Sequence, residues 1–86
     1  KLLVAQSHYQ LNIKTNAANC ELQVTTEAID RVDWYLNNRP AGSQDVSNNA
    51  LTITLPKATG ERRVRVEGFA KDVKVAATSV SLKCSS

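Results

Sequence analysis

Three short runs fix the phase of this chain. Cys20-Glu21-Leu22-Gln23-Val24, Val32-Asp33-Trp34-Tyr35-Leu36 and Val80-Ser81-Leu82-Lys83-Cys84 each place an apolar or sulfur-bearing residue at every second position, with mostly polar residues between. That is the period of a strand buried on one face only. Both cysteines fall on the inward set, far apart in sequence, and Trp34 lies inward on a strand between them. Two sheets packed face to face, stapled through a shared core, satisfy all three runs at once. The runs predict a fold; they do not say which molecule the protein binds.

The 86 residues make one domain, too short for a second core and small enough that covalent help matters. A Cys20–Cys84 bond would close a loop of about 65 residues, for which chain entropy gives roughly 4 kcal/mol against a usual margin of about 5–15 kcal/mol. Disulfides persist in oxidising compartments, so the pair favours a periplasmic, cell-surface or secreted location; the alternative is two buried thiols in a cytosolic domain. The chain opens on Lys1 without a basic, apolar leader, so removal of a signal peptide or excision from a longer protein is expected. No apolar run has the 18 or more residues of a membrane span, and no membrane insertion is expected.

A net charge of +3, with lysines and arginines spread along the chain and acids between them, aids solubility but falls short of a nucleic-acid footprint. No Asn-x-Ser/Thr sequon occurs.

Residues 1–7 read as a linker or a loose first strand, and 8–86 as the sandwich domain. Strands are expected over Tyr9–Lys14, Cys20–Thr25, Val32–Leu36, a short edge piece Gln44–Val46, Ala50–Leu55, Arg62–Phe69 and Val73–Cys84. Asn37–Gly42 supplies turn residues, as do Thr15–Asn19, Asn48-Asn49, Pro56–Gly60 and Ala70-Lys71-Asp72. In the last strand Val73 and Val75 have one parity and Val80, Leu82 and Cys84 the other, so a β-bulge is expected near Ala76-Ala77-Thr78. The expected core is Leu22, Val24, Val32, Trp34, Leu36, Leu51, Ile53, Leu55, Val64, Val66, Val80 and Leu82.

One segment competes. From Thr26 to Leu36, Ala28, Ile29, Val32, Tyr35 and Leu36 also fit a helical stripe with a capping threonine and early acids at Glu27 and Asp30. The helix leaves Trp34 off its stripe, whereas the strand keeps Val32, Trp34 and Leu36 together, so the strand is preferred, with room for one helical turn near Glu27–Asp30.

The runs Ala28–Asn38, Leu51–Leu55, Gly60, Val64–Ala70 and Ser79–Leu82 together resemble bacterial immunoglobulin-like domains, which read as an aromatic strand and turn, an apolar strand, a glycine before an alternating valine strand, and a valine-rich last strand. Polycystic-kidney-disease-like modules are a neighbouring resemblance. The likeness covers residues 20–84. It departs at Asn37-Asn38, where the pattern has aspartate-glycine, at Ala70-Lys71-Asp72, which lacks a glycine, and at the cysteine pair. It implies a seven-stranded antiparallel immunoglobulin-like sandwich. Such domains serve as non-catalytic modules of bacterial surface or secreted proteins, as spacers or partner-binding domains beside other domains of a larger chain. A carbohydrate-binding accessory module of a secreted hydrolase or cell-wall enzyme is the alternative, and a small secreted inhibitor or toxin-like protein a third.

Catalysis has little to work with. His8 is the one histidine and lies near the linker, so a serine-histidine-acid triad has no positioned base. There is no CxxC, no histidine pair and no calcium loop, so neither a metal nor a cofactor is expected. Trp34 is expected to pack in the core over the disulfide rather than serve as a ligand platform. Tyr35 has the opposite parity. The resemblance makes the third and sixth strands neighbours, which gathers Asp33, Tyr35, Arg63, Arg65 and Glu67, with Lys74 close by. This basic and aromatic face suits a carboxylate, an acidic glycan or an acidic protein surface; the plainer reading is a solvated sheet face whose charges pair across strands.

Overall fold

The structure, a computed structural model, describes residues 9–57 and 60–84; the expected linker at 1–7 and His8 lie outside these. Seven strands form: β1 (Gln10–Asn16), β2 (Glu21–Glu27), β3 (Arg31–Leu36), β4 (Arg39–Asp45), β5 (Ala50–Thr54), β6 (Glu61–Ala70) and β7 (Val73–Lys83). They make a three-stranded sheet ordered β1-β2-β5 and a four-stranded sheet ordered β4-β3-β6-β7, every pairing antiparallel. This is the pair of facing sheets that the alternating runs predict, in the immunoglobulin-like arrangement that the resemblance implies.

Parity sets which face is buried. Leu22 and Val24 of β2, Val32 of β3, Leu51 and Ile53 of β5, Val64 and Val66 of β6 and Leu82 of β7 form one core with Cys20, Ile29, Leu55 and Cys84. Leu11 and Ile13 of β1 and Trp34, Leu36 and Val80 pack against it half-buried. At about 25 cal/mol per Å² of apolar surface withdrawn from water, this shared interior is the main favourable term. The disulfide joins Cys20, just before β2, to Cys84, just after β7, with Cα atoms 5.1 Å apart. It links the two sheets at one end of the sandwich.

Several local expectations are corrected. Residues 26–36 hold no helix and no helical turn: β2 runs to Glu27, the chain bends at Ala28 in the left-handed region (φ 65°), and β3 begins at Arg31. Pairing of β3 with both β4 and β6 outweighs the local helical stripe. Cys20 is not part of a strand; it ends the β1–β2 turn at φ 56°, and its carbonyl accepts from the Leu55 amide at 2.9 Å. The edge strand is longer than expected, since only Asn37 and Asn38 turn and Arg39–Asp45 pairs with β3, Ala41 being the extra residue of a bulge and Pro40 a residue that an edge strand tolerates. The bulge expected in β7 near Ala76 is present, at the adjacent Val75: Gly68 faces Ala76 and Phe69 faces Lys74, leaving Val75 as the additional residue. Val73, 61% exposed, stands outside the core.

Three tight turns, the β3–β4 and β6–β7 hairpins and the β4–β5 crossing between sheets, share one device. Asn37-Asn38, Asn48-Asn49 and Lys71-Asp72 each place two successive residues at positive φ, the conformation of a type I′ turn, whose twist matches that of the flanking strands. Asparagine tolerates that region at little cost, lysine less readily.

Trp34 does not lie over the disulfide. It pairs with Val66 and Gly42, and a Cβ added to Gly42 would fall on ring carbons Cζ2 and Cε2 of Trp34. The ring therefore lies flat across β4 and is only half-buried. The disulfide's neighbour is Arg62, buried to 7% exposure, whose Nη2 is 2.9 Å from both sulfurs. Four residues of strand separate Arg62 from Val66, roughly 13 Å. Gly68 performs a second close approach, since its Cβ would stand 2.7 Å from Cδ1 of Ile29.

Candidate functional site

The outer face of the four-stranded sheet is built from cross-strand pairs of β3 and β6. Register places Arg31 opposite Phe69, Asp33 opposite Glu67 and Tyr35 opposite Arg65. The central pair sets two carboxylates directly against each other, which alone is unfavourable. Cations from both sides resolve it. Arg31 Nε lies 3.3 Å from Asp33, and Arg65 Nε 3.2 Å and Lys74 Nζ 3.6 Å from Glu67. The two Nε approaches are ion pairs without hydrogen-bond alignment, since neither nitrogen has a hydrogen-bond partner. Ser43 on β4 donates to Asp33 Oδ1 at 2.6 Å. With its carboxylate covered by Arg65 and Lys74, Glu67 is only 9% exposed although it points away from the core.

Two arginines also stack. Cζ of Arg31 is 4.3 Å from the Phe69 ring centroid, and Cζ of Arg65 is 4.3 Å from that of Tyr35. Arg31 further reaches Asp72 at 3.0 Å, and Arg65 Nη1 donates to Asn38 Oδ1 at 3.4 Å. Such contacts contribute roughly 0.5–1 kcal/mol each for an exposed stack and about 0.2–1 kcal/mol for an exposed ion pair. Their larger effect is positional: one side of each ring is already occupied by a guanidinium.

Arg63 differs. Its backbone is tied to the β3–β4 turn, the amide donating to Asn37 Oδ1 at 3.0 Å and the carbonyl accepting from the Asn37 amide at 2.9 Å. Its guanidinium is exposed and has no ion pair among the described residues. It faces Ser81 on β7, and Arg65 faces Ser79. Short hydroxyl side chains thus border both arginines on an open surface.

The fold brings Asp33, Tyr35, Arg65 and Lys74 together and leaves Arg63 one pair further along. Sequence reasoning missed the Arg31–Phe69 stack, the roles of Asn38, Ser43 and Asp72, and the burial of Arg62. The last was legible, because Arg62 shares parity with Val64 and Val66. A second surface feature is a shallow hollow of about 340 Å³ on the other sheet, lined by side chains that include Gln23, Thr25, Ala50 and Thr52. Among the described residues no group of three or more His, Cys, Asp or Glu is placed to hold a metal ion.

No protein-family model and no curated protein matches this chain. Among solved structures it is similar to a chain from "Structures of Clostridium thermocellum CbhA fibronectin(III)-like modules", with a TM-score of 0.58 and 18% identity, covering 87% of this chain and 95% of that one. At this identity the likeness concerns the fold: a sandwich of the immunoglobulin and fibronectin III type.

Proposed function

We propose that this chain is a non-catalytic module of a bacterial surface or secreted protein, acting as a spacer with a partner-binding face. The observation that carries the reading is topological. Seven antiparallel strands, an odd number, bring the chain in at one end of the sandwich, at Gln10, and out at the other, at Lys83. In a body measuring 50 × 23 × 18 Å that is the geometry of a unit in a linear array. The similar solved chain is itself described as a module and is matched over nearly its whole length, which supports the same reading. The Cys20–Cys84 bond supports an extracytoplasmic location.

Binding, on this reading, uses the face of Tyr35, Arg63 and Arg65, with Asp33 and Lys74 in support, and its partner is an acidic protein surface or acidic glycan. Arg63 supplies the available cation and Arg65, already stacked on Tyr35, a fixed one. The carbohydrate-binding alternative rests on that same ring and on the hydroxyl-rich hollow at Gln23, Thr25 and Thr52. An antibody raised to this chain tests the module reading on the native protein. A band well above 9.4 kDa is expected, from further extracytoplasmic domains, and a free-standing protein of that mass overturns it.

A further inference from the structure

Charges that are interspersed in sequence are sorted by the fold. β2, β4 and β6 run one way and β1, β3, β5 and β7 the other, so residues distant in sequence gather at the same end. The end that holds the disulfide collects Arg39, Lys57, Arg63 and Lys83, with the buried Arg62, against Glu21 and Glu61. The opposite end collects Glu27, Asp30, Asp33, Asp45, Glu67 and Asp72 against Arg31, Lys71 and Lys74. Among the described residues the further charges are Lys14, near the middle of β1, and Arg65, at the middle of β6. One end therefore carries a net positive charge and the other a net negative one, along the length of an elongated body. Arg39 and Lys83 at the first end, and Glu27 and Asp45 at the second, are exposed and take part in no ion pair among the described residues.

We propose that copies of this chain associate end to end, the basic end of one seated against the acidic end of the next. Each end is complementary to the other and repels its own kind, which selects a head-to-tail contact over a two-fold one. A head-to-tail contact does not close on itself and extends into open chains. The chain leaves β7 at the basic end and enters β1 at the acidic end, so successive copies within one polypeptide would present these same surfaces to each other, at the high effective concentration of a short linker. The inference stands without the module reading, since separate copies suffice to test it.

The test is self-association of the isolated chain, by sedimentation across concentrations up to about 1 mM, in about 10 mM and about 0.5 M NaCl, where the screening length falls from about 30 Å to a few Å. Weight-average mass should rise about twofold or more at low salt and return to that of the monomer at high salt. An Arg39→Glu, Lys83→Glu variant no longer has a basic end and a Glu27→Lys, Asp45→Lys variant no longer an acidic one. Each alone should stay monomeric, and an equimolar mixture should associate again. Near-ultraviolet circular dichroism checks that both are folded. Wild-type protein that stays monomeric at low salt overturns the proposal by itself. So does association that survives high salt, variants that associate alone like the parent, or folded variants whose mixture fails to associate.

Discussion

Gly42 and Arg62 show how far single residues govern this sandwich. Gly42 leaves the space in which the Trp34 ring lies across β4, and any Cβ there would fall on the ring carbons. Gly42→Ala should therefore cost about 1–3 kcal/mol by forcing the indole off its rotamer, read as a lower urea midpoint at unchanged slope. An unchanged midpoint would mean that the ring does not lie over β4. Arg62 presents the opposite case. Its guanidinium is buried against the Cys20 and Cys84 sulfurs with no acid paired to it among the described residues, and its Nε has no hydrogen-bond partner there. A buried charge so weakly compensated is expensive, and an apolar residue of similar volume is often neutral or better. Arg62→Met should leave stability within about 1 kcal/mol of the parent or raise it, and a loss above about 2 kcal/mol would show that the contact with the sulfurs outweighs desolvation.

At the scale of elements, the hairpin turns offer the cleanest test. Lys71-Asp72 adopts positive φ at both positions, with no asparagine or glycine to ease it. Replacing the pair by Asn-Gly should raise stability by about 0.5–1 kcal/mol in thermal or urea unfolding, since the residue-71 amide bond to Asp30 is kept; a loss would show that the Asp72–Arg31 contact outweighs the backbone gain. Strand parity was readable from residue alternation alone, because burial on one face forces a period of two, and that assigned β2, β3, β5 and β6 to their faces. Boundaries were less readable. The stretch 39–42 carries Pro40 and Gly42, so composition marks it as turn, and its strand character comes only from pairing with β3. The helical stripe at 26–36 was equally sound as local chemistry and lost to pairing on both sides. Bulge position depends on which residue faces Gly68, which no local pattern encodes.

At the scale of the molecule, what was legible of the site was its membership: parity and the order of strands put Tyr35, Asp33, Arg65 and Lys74 on one face. What was not legible was their state. Whether an arginine is spent on a neighbouring ring or left open is decided by cross-strand register, and the sorting of charge toward two ends by the direction of every strand. Arg63, exposed and without an ion pair among the described residues, should dominate any binding of acidic partners. The Arg63→Ala, Arg65→Ala variant should keep its fold yet lose most binding to acidic glycans or acidic surface extracts, and equal binding by parent and variant would make this face a solvated surface only. The claim on which the rest depends is that the two sheets are stapled in an oxidising compartment. Alkylation of intact cells before lysis, followed by mass spectrometry of the unreduced protein, tests it most directly. Cys20 and Cys84 should carry no label, with the mass two hydrogens below that of the dithiol; a protein labelled at both would contradict the staple and the compartment together.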